Sequence, residues 1–266
     1  TLSWEIFSRF FYFIFNGFIM NLLIKKYTLY RFGYYKNHFG IIRRYLSHAK
    51  EWTTHLENCQ QYIQNWVKRQ NARDVFILGS GWLLDVPVDE LLEEFDQVFL
   101  VDLVHPRQVK RKYENKPGLH FIQADITGGL INKTRQTRKA LGGHAEWPRP
   151  EYDFLNEMEP SLTALISINI LSQLAFPVTT FMKRVYKIKP GQETLVNKYI
   201  QQQHLDLLKK YSSCLISDHE EIILKDKDNE KIVNPLLNVN WPDGQHPESW
   251  TWNFDTRKTY YPDARR

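Results

Sequence analysis

The chain is poor in the residues that staple or link small folds. Its 266 residues contain only two cysteines, Cys59 and Cys214, with no CxxC and no Cys/His ligand spacing, so a disulfide framework and a structural zinc site both lack sequence support. A reducing, cytoplasmic setting is the expectation. No internal repeat and no low-complexity tract occurs. At 42% hydrophobic and 24% charged, the composition is that of a globular chain long enough for a full core, not a disordered one. Long apolar runs are also scarce. The one candidate, Phe10 to Ile24, is broken by Asn16, Gly17 and Asn21 and closed by Lys25 and Lys26. As a helix its fifteen residues would cover roughly 22 Å of a hydrocarbon layer about 30 Å thick. No small-residue cleavage site follows it, which argues against a signal peptide.

Acidic residues are scarce at the N-terminus alone. Residues 1–74 carry eleven Lys/Arg against four Asp/Glu, whereas residues 75–266 carry 24 against 26, so the whole formal excess of +5 is N-terminal. A nucleic-acid surface spread over the main domain is therefore not expected. Half of the sixteen Phe also fall in the first 40 residues. Residues 1–40 are read as an aromatic, basic segment with three readings open: a helix docked on the domain or on a second copy in a homo-oligomer, an interfacial helix on an anionic membrane surface, or a span.

Residues 41–266 read as one α/β domain. Ile42, Tyr45, Ala49, Trp52, Leu56, Cys59, Ile63 and Trp66 recur at spacings of three and four, which predicts a covering helix over 41–70. Asp74–Leu78 and Val98–Val101 are short apolar runs with helix-like Val88–Phe95 between them, a βαβ unit. The alternation continues with helix 106–115, strand 119–124, strand 163–168, helices near 178–188 and 192–210, and strand 214–217. Leu195, Tyr199, Leu205 and Leu208 of the last helix are expected to face inward, with His204 a core histidine. Ile222–Leu224 and Ile232–Val233 flank a charged turn, and Trp250, Trp252 and Phe254 alternate with polar residues as half-buried antiparallel strands do.

The chemistry concentrates in Gly79-Ser80-Gly81, directly after the first strand. Glycines there let backbone approach a ligand closely. Asp102 follows 23 residues after Gly79, ending the second strand, where a carboxylate can accept from both hydroxyls of a ribose. Asp125 lies a further 23 residues on, ending the third strand. Two carboxylates so placed suit a nucleoside, and the alternative is that both cap loops or helices. A dinucleotide fingerprint would put its third glycine at residue 84, which is Leu84.

With these motifs the chain resembles the class I S-adenosylmethionine-dependent methyltransferases over roughly residues 41–266. The likeness rests on Gly79-Ser80-Gly81, Asp102, Asp125 and the segment Leu165–Leu174. The resemblance implies a Rossmann-like sheet, mostly parallel with an antiparallel C-terminal hairpin and preceded by N-terminal helices. It also implies S-adenosylmethionine as cofactor, held by Gly79, Ser80, Gly81, Asp102, Asp125, Ile126 and Asn169. The sequence departs from the family pattern in having Leu83 where a third glycine would stand, and nothing in it matches an NPPY-type signature, so the methyl acceptor stays unnamed.

For acceptor positioning or proton removal, the candidates sit at strand C-terminal ends: His105, Asn169, Gln173, Asp218, His219 and Glu220, with the pair Asp218-His219 first because a carboxylate beside an imidazole tunes proton transfer near neutral pH. Residues 127–159, with the basic face Lys133, Arg135, Arg138 and Lys139, are read as either a substrate lid or a solvated helix. Two other functions stay open: a methyltransferase-like interaction protein without catalysis, and an aminocarboxypropyl transferase that uses the same cofactor.

Overall fold

A computed structural model describes residues 29–30, 32–136, 147–225, 230–256 and 264–265. Residues 1–28 lie outside them, and with them the apolar run Phe10 to Ile24 that the docked, interfacial and spanning readings concern. Among the described residues, no helix is long and apolar enough to cross a membrane.

The first long element is α1 (Tyr34–Val67), entered through Gly33 at φ 72 and kinked at His48. It is longer than the expected covering helix and starts ahead of the boundary placed at residue 40. The chain just before it belongs to the core: Leu29 and Phe32 are buried, and the Phe32 ring stacks on Phe181 at 4.3 Å.

The domain is α/β. Strands β1 (Asp74–Leu78), β2 (Gln97–Asp102), β3 (Leu119–Gln123), β4 (Thr163–Ile168) and β5 (Ser212–Ile216) form a five-stranded sheet in the order β3-β2-β1-β4-β5. Every pairing in it is parallel. Their continuous apolar sequences require burial on both faces, and the period of two divides them accordingly. Phe76, Leu78, Phe99, Val101 and Leu165 point to one side, against α5 (Phe176–Tyr186) and α6 (Pro190–Leu208). Val75, Ile77, Val98, Leu100 and Ile166 point to the other, against Cys59, Ile63 and Trp66 of α1, with α2 (Val88–Glu94) and α3 (Arg107–Tyr113) on the same face.

The C-terminal hairpin expected from the sequence is present as β6 (Glu220–Lys225) and β7 (Lys231–Pro235), antiparallel, with β8 (Ala264–Arg265) on the other edge of β6. It forms its own sheet beside the parallel one. Two expectations need correction. Residues 249–254 are not a strand. Their alternation serves packing, because Trp250, Trp252 and Phe254 lie on α1, with the Trp252 ring 4.8 Å from Trp52 and 3.9 Å from the His55 ring. On α6, Leu195 is 62% exposed while its neighbour Val196 is buried, so the inward stripe is one residue out of the expected phase there. Leu205, Leu208 and His204 do face the core.

From β3 the chain passes through α4 (Leu130–Gln136) and crosses to β4 on the far side of β1. Strand order reverses between β1 and β4, so the crevice outside their carboxyl ends is where such a sheet binds a ligand.

Candidate functional site

At the end of β1 the chain turns through Gly79 (φ 77) and Gly81 (φ 48). The Gly79 and Ser80 N–H groups both donate to the Val101 carbonyl, at 2.9 and 3.2 Å, tying the turn to the end of β2. The two glycines serve different ends. A Cβ on Gly79 would lie 3.0 Å from the Ile170 side chain and would be strained at φ 77, so glycine there serves packing and backbone conformation. A Cβ on Gly81 would meet only the Gly79 carbonyl, at 3.7 Å, so the space above it is open to a ligand. The Ser80 hydroxyl is buried without a hydrogen-bond partner.

Asp102 is 5% exposed, and the Gly81 N–H donates to its Oδ2 at 2.8 Å. This joins the glycine turn and the second-strand acid into one unit. Its other oxygen accepts from the Tyr34 hydroxyl at the start of α1. Burial, followed by the Asp102 charge, pushes the Tyr34 phenol well above its ordinary range. The next turn of α1 also lies on the loop: the Trp82 indole N–H donates to the His38 carbonyl at 2.9 Å, and the two rings stack at 5.3 Å. Beside Tyr34 and Asp102, the recess lined by Asp125, Ile126, Thr127 and Ile170 has a volume of about 40 Å3. That recess by itself accommodates water and no nucleoside; Tyr34, Asp102 and the glycine turn also border a broad cleft.

Asp125 is directed inward. Its Oδ1 accepts from the Thr127 N–H at 2.9 Å and the Thr127 hydroxyl at 2.5 Å, and its Oδ2 accepts from the Ile131 N–H at 3.1 Å. This is the geometry of a carboxylate capping the start of α4. Burial, the larger effect, raises its pKa against these donors. Ile126 is a core side chain that also lines the recess.

The other sequence candidates separate. His105 is buried, with Nε2 2.9 Å from the Ile122 carbonyl, fastening the loop after β2 to β3; burial lowers its pKa. Asp218 accepts from Ser172 at 3.3 Å, whereas His219 is exposed and near the Trp241 ring, so the adjacent pair diverges. In the 127–159 segment, residues 137–146 lie outside the described ones. Its flanks are anchored by a Lys133–Glu151 ion pair at 3.0 Å and by Trp147 stacked on Tyr199 at 5.5 Å.

Asn169 is the sequence candidate with the richest surroundings. It follows β4 with φ 51, a left-handed conformation that Asn tolerates better than most residues. Its side-chain nitrogen lies 2.7 Å from Asp85 Oδ2, 3.1 Å from His55 Nε2 and 3.7 Å from Cys59 Sγ. Its Oδ1 is buried without a partner. His55 and Cys59 sit one helical turn apart on the buried face of α1, a spacing visible in the sequence but absorbed there into an apolar stripe. Asp85 is the carboxylate four residues past Gly81.

Donor atoms of His55, Cys59 and Asp85 all lie within 4.8 Å of one another, close enough to suggest a metal. The hydrogen bonds argue otherwise. The Trp250 indole N–H donates to His55 Nδ1 at 3.0 Å, which places the neutral ring's proton on Nε2, the nitrogen facing the cluster. The ring therefore presents an N–H, not a ligand lone pair. Without a metal, burial pushes the Cys59 thiol far up and lowers the His55 pKa to about 4. Chelator treatment is expected to leave the melting temperature unchanged, and one equivalent of zinc to leave it within about one degree, whereas a resident metal would make folding metal-dependent.

His204 behaves like His55, neutral with a pKa of about 4 through burial, and it is bonded to Ser167 at 2.8 Å. Because its folded pKa lies below the unfolded value near 6.5, its contribution to stability is complete above pH 6.5 and is lost as pH falls toward 4. His204→Gln is expected to give a shallower fall in melting temperature over that interval than the wild type shows.

Neither a family model nor a curated protein matches the chain.

Proposed function

We propose that the protein is an S-adenosylmethionine-dependent methyltransferase. One observation carries the reading: the Asp102 carboxylate, at the end of β2, is fixed by the Gly81 N–H directly beside an open glycine turn, on the carboxyl edge where strand order reverses. The five parallel strands in the order β3-β2-β1-β4-β5, with an antiparallel hairpin following, suit a Rossmann-like methyltransferase sheet. Gly79, Ser80, Gly81, Asp102, Ile126 and Asn169 would hold the cofactor. Asp125 would shape the pocket through its cap on α4. When bound, the cofactor supplies an activated methyl group. The chain's residues align the acceptor with it and take up a proton.

Calorimetry with S-adenosylmethionine, S-adenosylhomocysteine and NAD tests the proposal. Asp102→Ala is expected to weaken S-adenosylmethionine binding by about 1–3 kcal/mol, the scale of lost hydrogen bonds to a charged acceptor. Unchanged affinity in a folded variant removes the ribose role. Tyr34→Phe should strengthen binding by roughly fivefold, because the cofactor no longer has to displace a hydroxyl from Asp102.

The contact between Tyr34 and Asp102 also favours a second reading, an interaction protein whose nucleoside pocket is permanently filled by α1. Absence of binding to both wild type and Tyr34→Phe would decide for it. If binding occurs, product analysis separates methyl transfer, which leaves S-adenosylhomocysteine, from aminocarboxypropyl transfer, which leaves methylthioadenosine.

A further inference from the structure

We propose that Asp85, positioned by Asn169 and His55, is the proton acceptor for an amine substrate, and that Asp218-His219 is not the catalytic pair. The inference rests on the methyl-transfer reading above.

Position comes first. Asp85 and Asn169 follow the two strands between which the sheet order reverses, and with His55, Trp250 and Asp218 they line the broad cleft that also exposes the glycine turn. Cys59 lies behind them, fully buried. Chemistry comes second. The groups facing Asp85 are the Asn169 amide, the His55 ring, the Cys59 thiol and, farther off, Asp218. The ring and the thiol are neutral, so among the described residues these groups bring the Asp85 carboxyl and, farther off, the Asp218 carboxyl toward the substrate side. The walls beside them are indole rings, Trp250 and Trp252. Carboxylates flanked by aromatic rings recognise a cationic amine.

The Asn169 amide can satisfy Asp85 in both of its protonation states. As a carboxylate it accepts from the Asn169 amide N–H at 2.7 Å. Once protonated, it can donate to the amide oxygen of the same side chain turned about, the atom that otherwise has no partner. Burial raises the pKa of Asp85 above the ordinary carboxylate value, against the lowering effect of the Asn169 hydrogen bond. The step balances: the substrate ammonium gives one proton to the Asp85 carboxylate; the freed nitrogen lone pair forms the bond to the methyl carbon; the carbon–sulfur bond breaks with its electron pair going to sulfur. The products are a methylammonium, a neutral thioether and a protonated Asp85. The Trp250 N–H keeps the His55 Nε2–H pointed into the cluster; with the Asn169 amide turned about, that N–H and the protonated Asp85 both face the amide oxygen, so His55 is a positioning residue that favours the protonated state.

The test needs no identified substrate. Sinefungin carries an ammonium where the transferable methyl sulfonium stands, whereas S-adenosylhomocysteine carries a neutral thioether there. The ratio of their dissociation constants is measured for the full chain by calorimetry. Asp85→Asn is expected to reduce the preference for sinefungin at least tenfold while S-adenosylhomocysteine affinity stays within threefold. Asn169→Gly, which keeps the left-handed backbone and removes the amide, should shift the ratio the same way by about threefold. An unchanged ratio in an Asp85→Asn protein that binds both ligands overturns the proposal. So does a loss that follows Asp218→Asn instead. If wild type binds neither ligand, the cofactor reading fails and the base assignment falls with it.

Discussion

Gly128→Ala is expected to destabilise the protein by about 3 kcal/mol, combining left-handed strain with overpacking against a rigid neighbour. Gly128 sits at φ 71, and an added Cβ would lie 2.2 Å from Pro150 Cβ and 2.7 Å from Pro150 Cα. Neither the proline ring nor its backbone can turn aside as the end of a flexible side chain could. The same glycine accepts the Glu151 N–H and donates to the Asp125 carbonyl, each at 3.0 Å, so it joins the outgoing and returning ends of the 127–159 segment. Displacing it would also disturb the three hydrogen bonds by which Asp125 caps α4. Gly129→Ala is the control. Gly129 has φ 82, but its Cβ would meet only Lys133 Cε at 3.8 Å, so the cost is backbone strain alone, about 1 kcal/mol. Denaturant unfolding of both variants measures the difference, and equal losses would show that contact with Pro150 is not what requires a glycine at 128.

What the sequence revealed follows from how local each feature is. The parallel strands are legible because each is an unbroken apolar run fixed by its own residues, and the places of Gly81 and Asp102 at adjacent strand ends follow from strand and loop lengths within one βαβ unit. Asp125 was placed correctly at the end of β3, yet its role depends on Thr127 and Ile131 turning back onto it, which spacing does not encode. Asp218 and His219 are adjacent in sequence and diverge in space because the chain changes direction between β5 and β6. The cluster around Asn169 was hidden for the opposite reason. It gathers residues 55, 59, 85, 169 and 250 from four separate stretches, and His55 and Cys59 lie within a helical stripe whose apolar period masks them. By its composition Tyr34 belongs with the aromatic N-terminal segment, although the helix that carries it is the same one that covers the sheet.

Trp52→Ala is expected to cost about 3–5 kcal/mol, the range for removing a large buried aromatic ring. Trp52 is 1% exposed, donates from its indole N–H to the Phe254 carbonyl at 3.0 Å and stacks on the Phe254 ring at 5.4 Å. It is thus the centre of the seam between α1 and residues 250–255, with the fully buried pair of His48 and Asp255 3.4 Å apart at one end and Trp250 bonded to His55 at the other. Period-two aromatics usually announce a strand, but here the extended segment satisfies them against a helix, so no ladder of backbone hydrogen bonds compensates when the ring is lost. The C-terminal segment should therefore detach before the parallel sheet unfolds, and limited proteolysis should cut near residue 250 in Trp52→Ala while wild type resists. Detachment also withdraws the Trp250 N–H that sets the His55 tautomer, so the nitrogen-15 signals of His55 should lose the pattern of a single Nε2-protonated ring. Trp52→Phe, which keeps the ring and loses the N–H, should lose roughly 1–2 kcal/mol and retain that pattern. A Trp52→Ala protein that resists the protease and keeps the His55 signals would mean that residues 250–255 are held by contacts other than this seam.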